Sequence, residues 1–170
     1  MSLPLIALLV AFPAAMAFAA ASDLVSMTIS NWLSLFLIVM FALCAALLGL
    51  SWSEIGWHLA AGGLVLVVCF GCFAAGWIGG GDAKLAAATA LWFGFGHLLP
   101  YLLCASVFGG VLTVLILRLR SGPLPAVAEN WPWLRRLHAA NEGVPYGIAL
   151  ALSALVILPE TTIWRAAIGV

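Results

Sequence analysis

Trp32 to Leu50 reads WLSLFLIVMFALCAALLGL, a stretch without a single charged side chain. About 20 apolar residues are what a helix needs to cross the hydrocarbon core of a bilayer. Similar runs lie on either side, from Leu3 to Ala21 and from Trp57 to Ile78. A shorter, alanine-rich run spans Lys84 to about Leu98, followed by Tyr101 to Leu117 and Val144 to Leu158. The whole composition agrees. Of 170 residues, 66% are hydrophobic and 7% charged, where a soluble domain carries about 25% charged residues. So few charges cannot cover a surface in water. A net charge of zero also leaves no bulk field to attract nucleic acid.

Inside lipid every backbone polar group needs a partner within the protein, which leaves only helices or closed barrels. A barrel requires strands of about ten residues that alternate polar and apolar, and the sequence has none. The expectation is therefore an all-α, polytopic transmembrane helix bundle of about six spans, with residues 1–170 forming a single transmembrane domain and no internal repeat. The fourth and sixth runs are short, so tilt or local thinning must make up the difference.

Basic residues orient the bundle. Lys84, Arg118, Arg120, Arg135 and Arg136 fall in or beside the connections Asp23–Asn31, Gly79–Asp82 and Arg118–Gly143, and only Arg165 falls opposite. The positive-inside rule makes these connections cytoplasmic and both termini extracytoplasmic. Met1 to Ser22 ends in an Ala-Phe-Ala pattern resembling a signal-peptide cleavage site. It lacks the basic n-region of such a peptide and is expected to stay as a span.

Asp23 and Asp82 are the only aspartates in the chain. Both are expected at span ends on the cytoplasmic side. Carboxylates next to lipid are costly and usually mark function. Two carboxylates brought together cannot both ionise, so they share one proton. One then serves as general base on a water while the other donates to the scissile carbonyl. That chemistry requires no metal and no cofactor. The plainer alternatives are that Asp82 caps the fourth helix and that Asp23 is a solvated boundary residue.

Gly79-Gly80-Gly81-Asp82-Ala83-Lys84-Leu85 resembles the Gly-x-Gly-Asp-x-Lys-Leu motif of the type IV prepilin peptidases. The likeness is closest to the short form that serves Flp-type, tight-adherence pilus systems. Asp23 to Asn31 is similar to that family's first-aspartate segment, although Ser30 stands where proline is usual and Val25 to Thr28 lacks the usual basic residue. Gly143-Val144-Pro145-Tyr146-Gly147-Ile148-Ala149 is similar to the Pro-Tyr-Gly-x-Ala stretch that opens the family's last helix.

The resemblance implies a catalytic pair at Asp23 and Asp82. It also implies roles in the site or in substrate positioning for Gly79, Gly81, Lys84, Asn31, Pro145, Tyr146 and Gly147. The implied substrate is a prepilin, either a Flp-type pilin or a pseudopilin, cut at the cytoplasmic face of the bacterial inner membrane. The cut typically follows a glycine, and pilus assembly machinery is an implied partner. Lys84 would steer acidic substrate groups or act on the Asp82 charge; its ordinary alternative is a boundary lysine snorkelling to the interface. Long-form relatives add a cytosolic insertion with zinc-binding cysteines and an N-methyltransferase activity. No such insertion is present, which implies cleavage without methylation.

The remaining polar residues suggest little chemistry. Cys69 and Cys72 form a lone C-x-x-C that helical spacing puts on one face, but cysteines in apolar runs usually pack as small hydrophobes. His58, His97 and His138 are scattered without a metal-binding spacing. Glu142 lies on the side of the aspartates and is expected to be a solvated loop residue or a substrate contact. Asn130 to His138 combines two tryptophans and two arginines, as an interfacial anchor does, and would also suit a surface receiving substrate. Ser121 to Pro125 reads as a turn. Competing readings are a presenilin-like Gly-x-Gly-Asp protease, and a non-catalytic subunit or small transporter of a pilus or secretion system using its carboxylates as a proton relay.

Overall fold

The computed structural model describes residues 3–124 and 130–169. Among them are seven α-helices and no strand: α1 (Leu3–Ser26), α2 (Asn31–Leu48), α3 (Trp52–Ala74), α4 (Gly80–Arg120), α5 (Pro132–His138), α6 (Gly147–Ile157) and α7 (Thr162–Ile168). Local sequence explains most of the boundaries. The Ser30 hydroxyl accepts from the Trp32 nitrogen at 3.3 Å and caps α2. Gly49 then closes that helix in the left-handed conformation, φ 66°. Ser51 and Glu54 form a reciprocal capping box that starts α3 at Trp52 rather than at Trp57.

Three further boundaries differ from expectation. α1 does not stop before Asp23 but runs through it to Ser26, because no breaker intervenes until Met27 takes φ 54°. α6 begins at Gly147 rather than Val144: a residue preceding proline is pushed toward extended backbone, which keeps Val144 out of the helix. Beyond Pro159 the chain bends by 52° into α7, a helix that lies past the expected end of the last span at Leu158. Pro125 of the expected turn lies outside the described residues.

The largest difference concerns α4. Its 41 residues would extend about 62 Å if straight, twice the ~30 Å of hydrocarbon. Gly94 breaks the run with φ 57° and ψ −176°, a conformation essentially confined to glycine. The chain doubles back there. Phe93 and Tyr101 meet edge-on with ring centres 5.0 Å apart. Asp82 and Ser106, which a straight helix would hold about 36 Å apart, line one cavity. The break expected between Leu98 and Tyr101 therefore lies at Gly94, and Pro100 is carried inside the second arm.

The first arm of α4 is the centre of the bundle, buried from Leu85 through Gly94. Its alanines allow close approach, as small residues do between membrane helices. A Cβ added to Gly62 of α3 would come within 3.2 Å of the Ala87 carbonyl oxygen. Trp92 fastens this arm to two neighbours, packing its ring at a tilt against Phe12 at 4.8 Å and donating its indole N–H to the Leu37 carbonyl at 2.9 Å.

The outer surface is apolar. Val39, Leu47, Leu59, Val67, Leu103 and Leu115 all point outward. No more than 33% of the apolar window of any long helix is buried, far more exposed hydrophobic area than water tolerates. Four described helices are long and apolar enough to cross a membrane, and five if α6 and α7 count as one bent span. This is an all-α, multi-pass membrane bundle.

Candidate active site

The three connections that carry the sequence motifs meet at one end of the bundle. Asp23 sits in the last turn of α1 and is 5% exposed. Its Oδ2 accepts a hydrogen bond from the Gly147 nitrogen, the first residue of α6, at 2.7 Å. A carboxylate at a helix N-terminus is favoured by the free N–H groups and by the helix dipole. The close fit depends on glycine: a Cβ at Gly147 would fall 2.8 Å from Asp23 Oδ2 and 2.7 Å from Ile29 Cδ1.

Asp82 lies in the first turn of α4, with Gly79 as the N-cap. It is thus not the capping residue itself. Its carboxylate folds back toward Gly79, where a Cβ would approach Oδ2 to 3.0 Å. Gly81 accepts the first-aspartate connection against it, since a Cβ there would meet Ile29 Cβ at 3.1 Å. Asp82 Oδ1 is buried with no hydrogen-bond partner among the described residues, and the Asp23 charge lies within coulombic reach. Of the two, Asp82 is the one that lines the cavity.

That cavity measures about 860 Å³ and is walled by Trp77, Ile78, Cys69, Ser106, Val144 and Tyr146, among others. Its volume and mostly apolar wall fit an extended peptide segment. Tyr146 spans one side, its hydroxyl donating to the Ala105 carbonyl at 3.3 Å. Its ring fills the notch left by Gly109, where a Cβ would overlap it at 2.1 Å. Burial and the nearby Asp82 charge raise the Tyr146 phenol above its usual value, so it stays protonated and a donor. Pro145 is buried beside it.

The sequence profile of the type IV leader peptidase family matches residues 10–114, which include both aspartates and the glycine motif. The chain belongs to the type IV leader peptidase family. It is accordingly a leader-peptidase-type protease, and its substrates are of the prepilin type. No curated protein and no solved structure matches the chain. The matched region ends before Gly143, so the Pro-Tyr-Gly stretch is tied to the site by geometry: the Gly147 N–H on Asp23 and the Tyr146 ring in the cavity wall.

Lys84 and Asn31 come together, but elsewhere. Lys84 Nζ donates to Asn31 Oδ1 at 2.7 Å, and both line a groove between α2, α3 and the first arm of α4 rather than the cavity at Asp82. Glu142 is exposed in the loop.

Several contacts at this end had no signal in the sequence. Arg120 donates from Nε to the Leu137 carbonyl at 2.9 Å and from Nη2 to the Gly143 carbonyl at 2.8 Å. Arg136 of α5 donates to the Val25 carbonyl, two residues past Asp23, at 2.9 Å. These guanidiniums hold the basic loop, the end of α1 and the approach to α6 as one unit. Their positive charge was legible, but their carbonyl partners were not. Cys69, half of the C-x-x-C pair, lines the cavity, and all four cysteines are free.

Proposed function

We propose that this protein is an aspartic endopeptidase that removes the leader peptide of prepilins, with Asp23 and Asp82 as its catalytic pair. The observation that carries this reading is the convergence of the two carboxylates at one end of the bundle. One is held by the Gly147 N–H, and the other is set in the wall of a peptide-sized cavity.

Close carboxylates share a proton. The ionised one takes a proton from a water as its oxygen attacks the scissile carbonyl carbon. The protonated one donates to the carbonyl oxygen, giving a neutral gem-diol. Collapse of that intermediate breaks the C–N bond, and the proton gained from water goes to the departing amine. The Gly147 N–H orients Asp23 throughout. Tyr146 and the apolar wall seat the residues beside the cut.

In this reading the end bearing Arg118, Arg120, Arg135 and Arg136 faces the cytoplasm of a bacterium, both termini are extracytoplasmic, and the bundle sits in the inner membrane. The substrate is a small, Flp-type prepilin or pseudopilin, delivered to pilus assembly machinery after cleavage. Only residues 27–30 separate α1 from α2, which leaves no room there for a methyltransferase insertion, so the product keeps an unmethylated N-terminus.

Co-expression with prepilins that carry glycine before their hydrophobic helix tests the proposal. Loss of the leader is read by gel mobility and intact mass. Wild type should cleave, while Asp23→Asn and Asp82→Asn should not. Cleavage at the wild-type rate by either variant would sink the two-aspartate mechanism.

A further inference from the structure

The groove shared by α2, α3 and the first arm of α4 has a volume of about 440 Å³ and lies apart from the cavity at Asp82. Each helix gives it about two turns of wall: Asn31 to Ile38, Leu59 to Leu66, and Lys84 to Leu91. At 1.5 Å per residue the groove is about 10 Å long. It runs down from the level of Lys84 into the hydrocarbon zone.

The polar groups are graded along it. Lys84 and Asn31 stand at the mouth, joined by their 2.7 Å hydrogen bond. An ammonium has three donors, and among the described residues no carboxylate lies within ion-pair distance of Lys84. Its charge and further donors are available to a ligand. One helical turn deeper is Ser34, 7% exposed, whose hydroxyl is buried without a hydrogen-bond partner. Below Ser34 the wall is Leu35, Ile38 and Leu59, all apolar, while Leu66 of the antiparallel α3 stands nearer the mouth. Gly63 leaves the middle open, since a Cβ there would meet nothing within 4 Å.

Cation at the boundary, hydroxyl donor one turn in, then a hydrocarbon slot: this is the order of groups along a glycerophospholipid. We infer that the groove is a binding site for one anionic phospholipid of the surrounding leaflet. Its phosphate rests on Lys84 and Asn31, an ester carbonyl accepts from Ser34, and one acyl chain passes Leu66 and lies along Leu35, Ile38 and Leu59. A buried hydroxyl without a partner costs stability, and the ester supplies that partner. The lipid also braces Lys84, two residues after Asp82, from the side opposite the cavity.

The test reads lipid occupancy directly and involves no cleavage. The full-length protein, extracted in mild detergent, is given equal phosphatidylglycerol and phosphatidylcholine and examined by native mass spectrometry. Wild type should hold one phosphatidylglycerol in preference to phosphatidylcholine by about fivefold, equivalent to ~1 kcal/mol for a lysine at the membrane surface. Lys84→Gln should bring the two lipids to equal occupancy, and Ser34→Ala should lower both. Gly63→Leu fills open space on a helix and improves helix propensity; it should remove the bound lipid while the protein stays folded, read as unchanged helix content. Equal occupancy by both lipids in wild type overturns the inference. So does retention of phosphatidylglycerol by Gly63→Leu. Should Gly63→Leu fail to fold, the Lys84→Gln and Ser34→Ala results decide alone: wild-type occupancy and preference in both refutes the site.

Discussion

Asp23 and Gly147 stand 124 positions apart in sequence and 2.7 Å apart in space, the backbone N–H of one donating to the carboxylate of the other. The contact joins the end of the first helix to the start of α6. It makes the N-terminus of α6 part of the candidate site.

Gly147→Ala should therefore act on chemistry before it acts on fold. The new methyl group would overlap Asp23 Oδ2 and Ile29 Cδ1, at 2.8 and 2.7 Å, and push the carboxylate out of line. Misplacement by about 1 Å costs roughly a hundredfold in rate. Prepilin cleavage should fall by about that factor, measured as initial rate in membranes, with expression and helix content retained.

A pair of carboxylates sharing one proton works only while one is ionised and the other is not. The rate of cleavage should rise and then fall with increasing pH, and the two limbs belong to the pair rather than to either residue. A rate that climbs steadily through neutral pH without a falling limb would argue for a single catalytic base.

Tyr146 and Gly109 fit so closely that neither tolerates enlargement of the other. Gly109→Ala puts a methyl group 2.1 Å from the Tyr146 ring, overpacking that costs about 1–3 kcal/mol. Thermal unfolding in detergent should show the loss. Adding Tyr146→Ala should recover part of it, because the two substitutions share one contact and cannot be additive.

Arg120 is the anchor of the basic loop through the carbonyls of Leu137 and Gly143. Arg120→Ala should free the loop, making it several-fold more sensitive to added trypsin or chymotrypsin. Arg120→Lys should rescue this only in part, since a single ammonium does not reproduce the planar fork of the guanidinium. In inside-out vesicles the loop should be cut, and in right-side-out vesicles protected, if the basic end is cytoplasmic.

Sequence and structure agree where one side chain decides an outcome. The scarcity of charge called for lipid. Two aspartates alone in the chain, one following three glycines, marked the end of the bundle where the motif-bearing connections meet. The agreement ends where a choice depends on partners far away in sequence. Pro100 is a better-known breaker than Gly94, yet Gly94 takes the turn, because a reversal needs a positive φ and Pro100 only loses a hydrogen bond within an otherwise sound helix. Asp23 looked like a boundary residue, since nothing local shows that α6 will supply an N–H to a helical carboxylate. Lys84 lies two residues from Asp82, and this suggested action on that acid. A helix turns 100° per residue, and the side chain leaves on a different face, toward Asn31. The notch at Gly109 gives no local hint that Tyr146 will fill it.

The bond from Gly147 to Asp23 also sets an order of events in biosynthesis. A nascent chain acquires Asp23 and then Asp82 well before the ribosome reaches position 147. Until α6 has entered the bilayer, the first carboxylate has no backbone donor to hold it. A partly made chain thus carries both acids but not their final alignment, so the candidate site is completed only when α6 arrives.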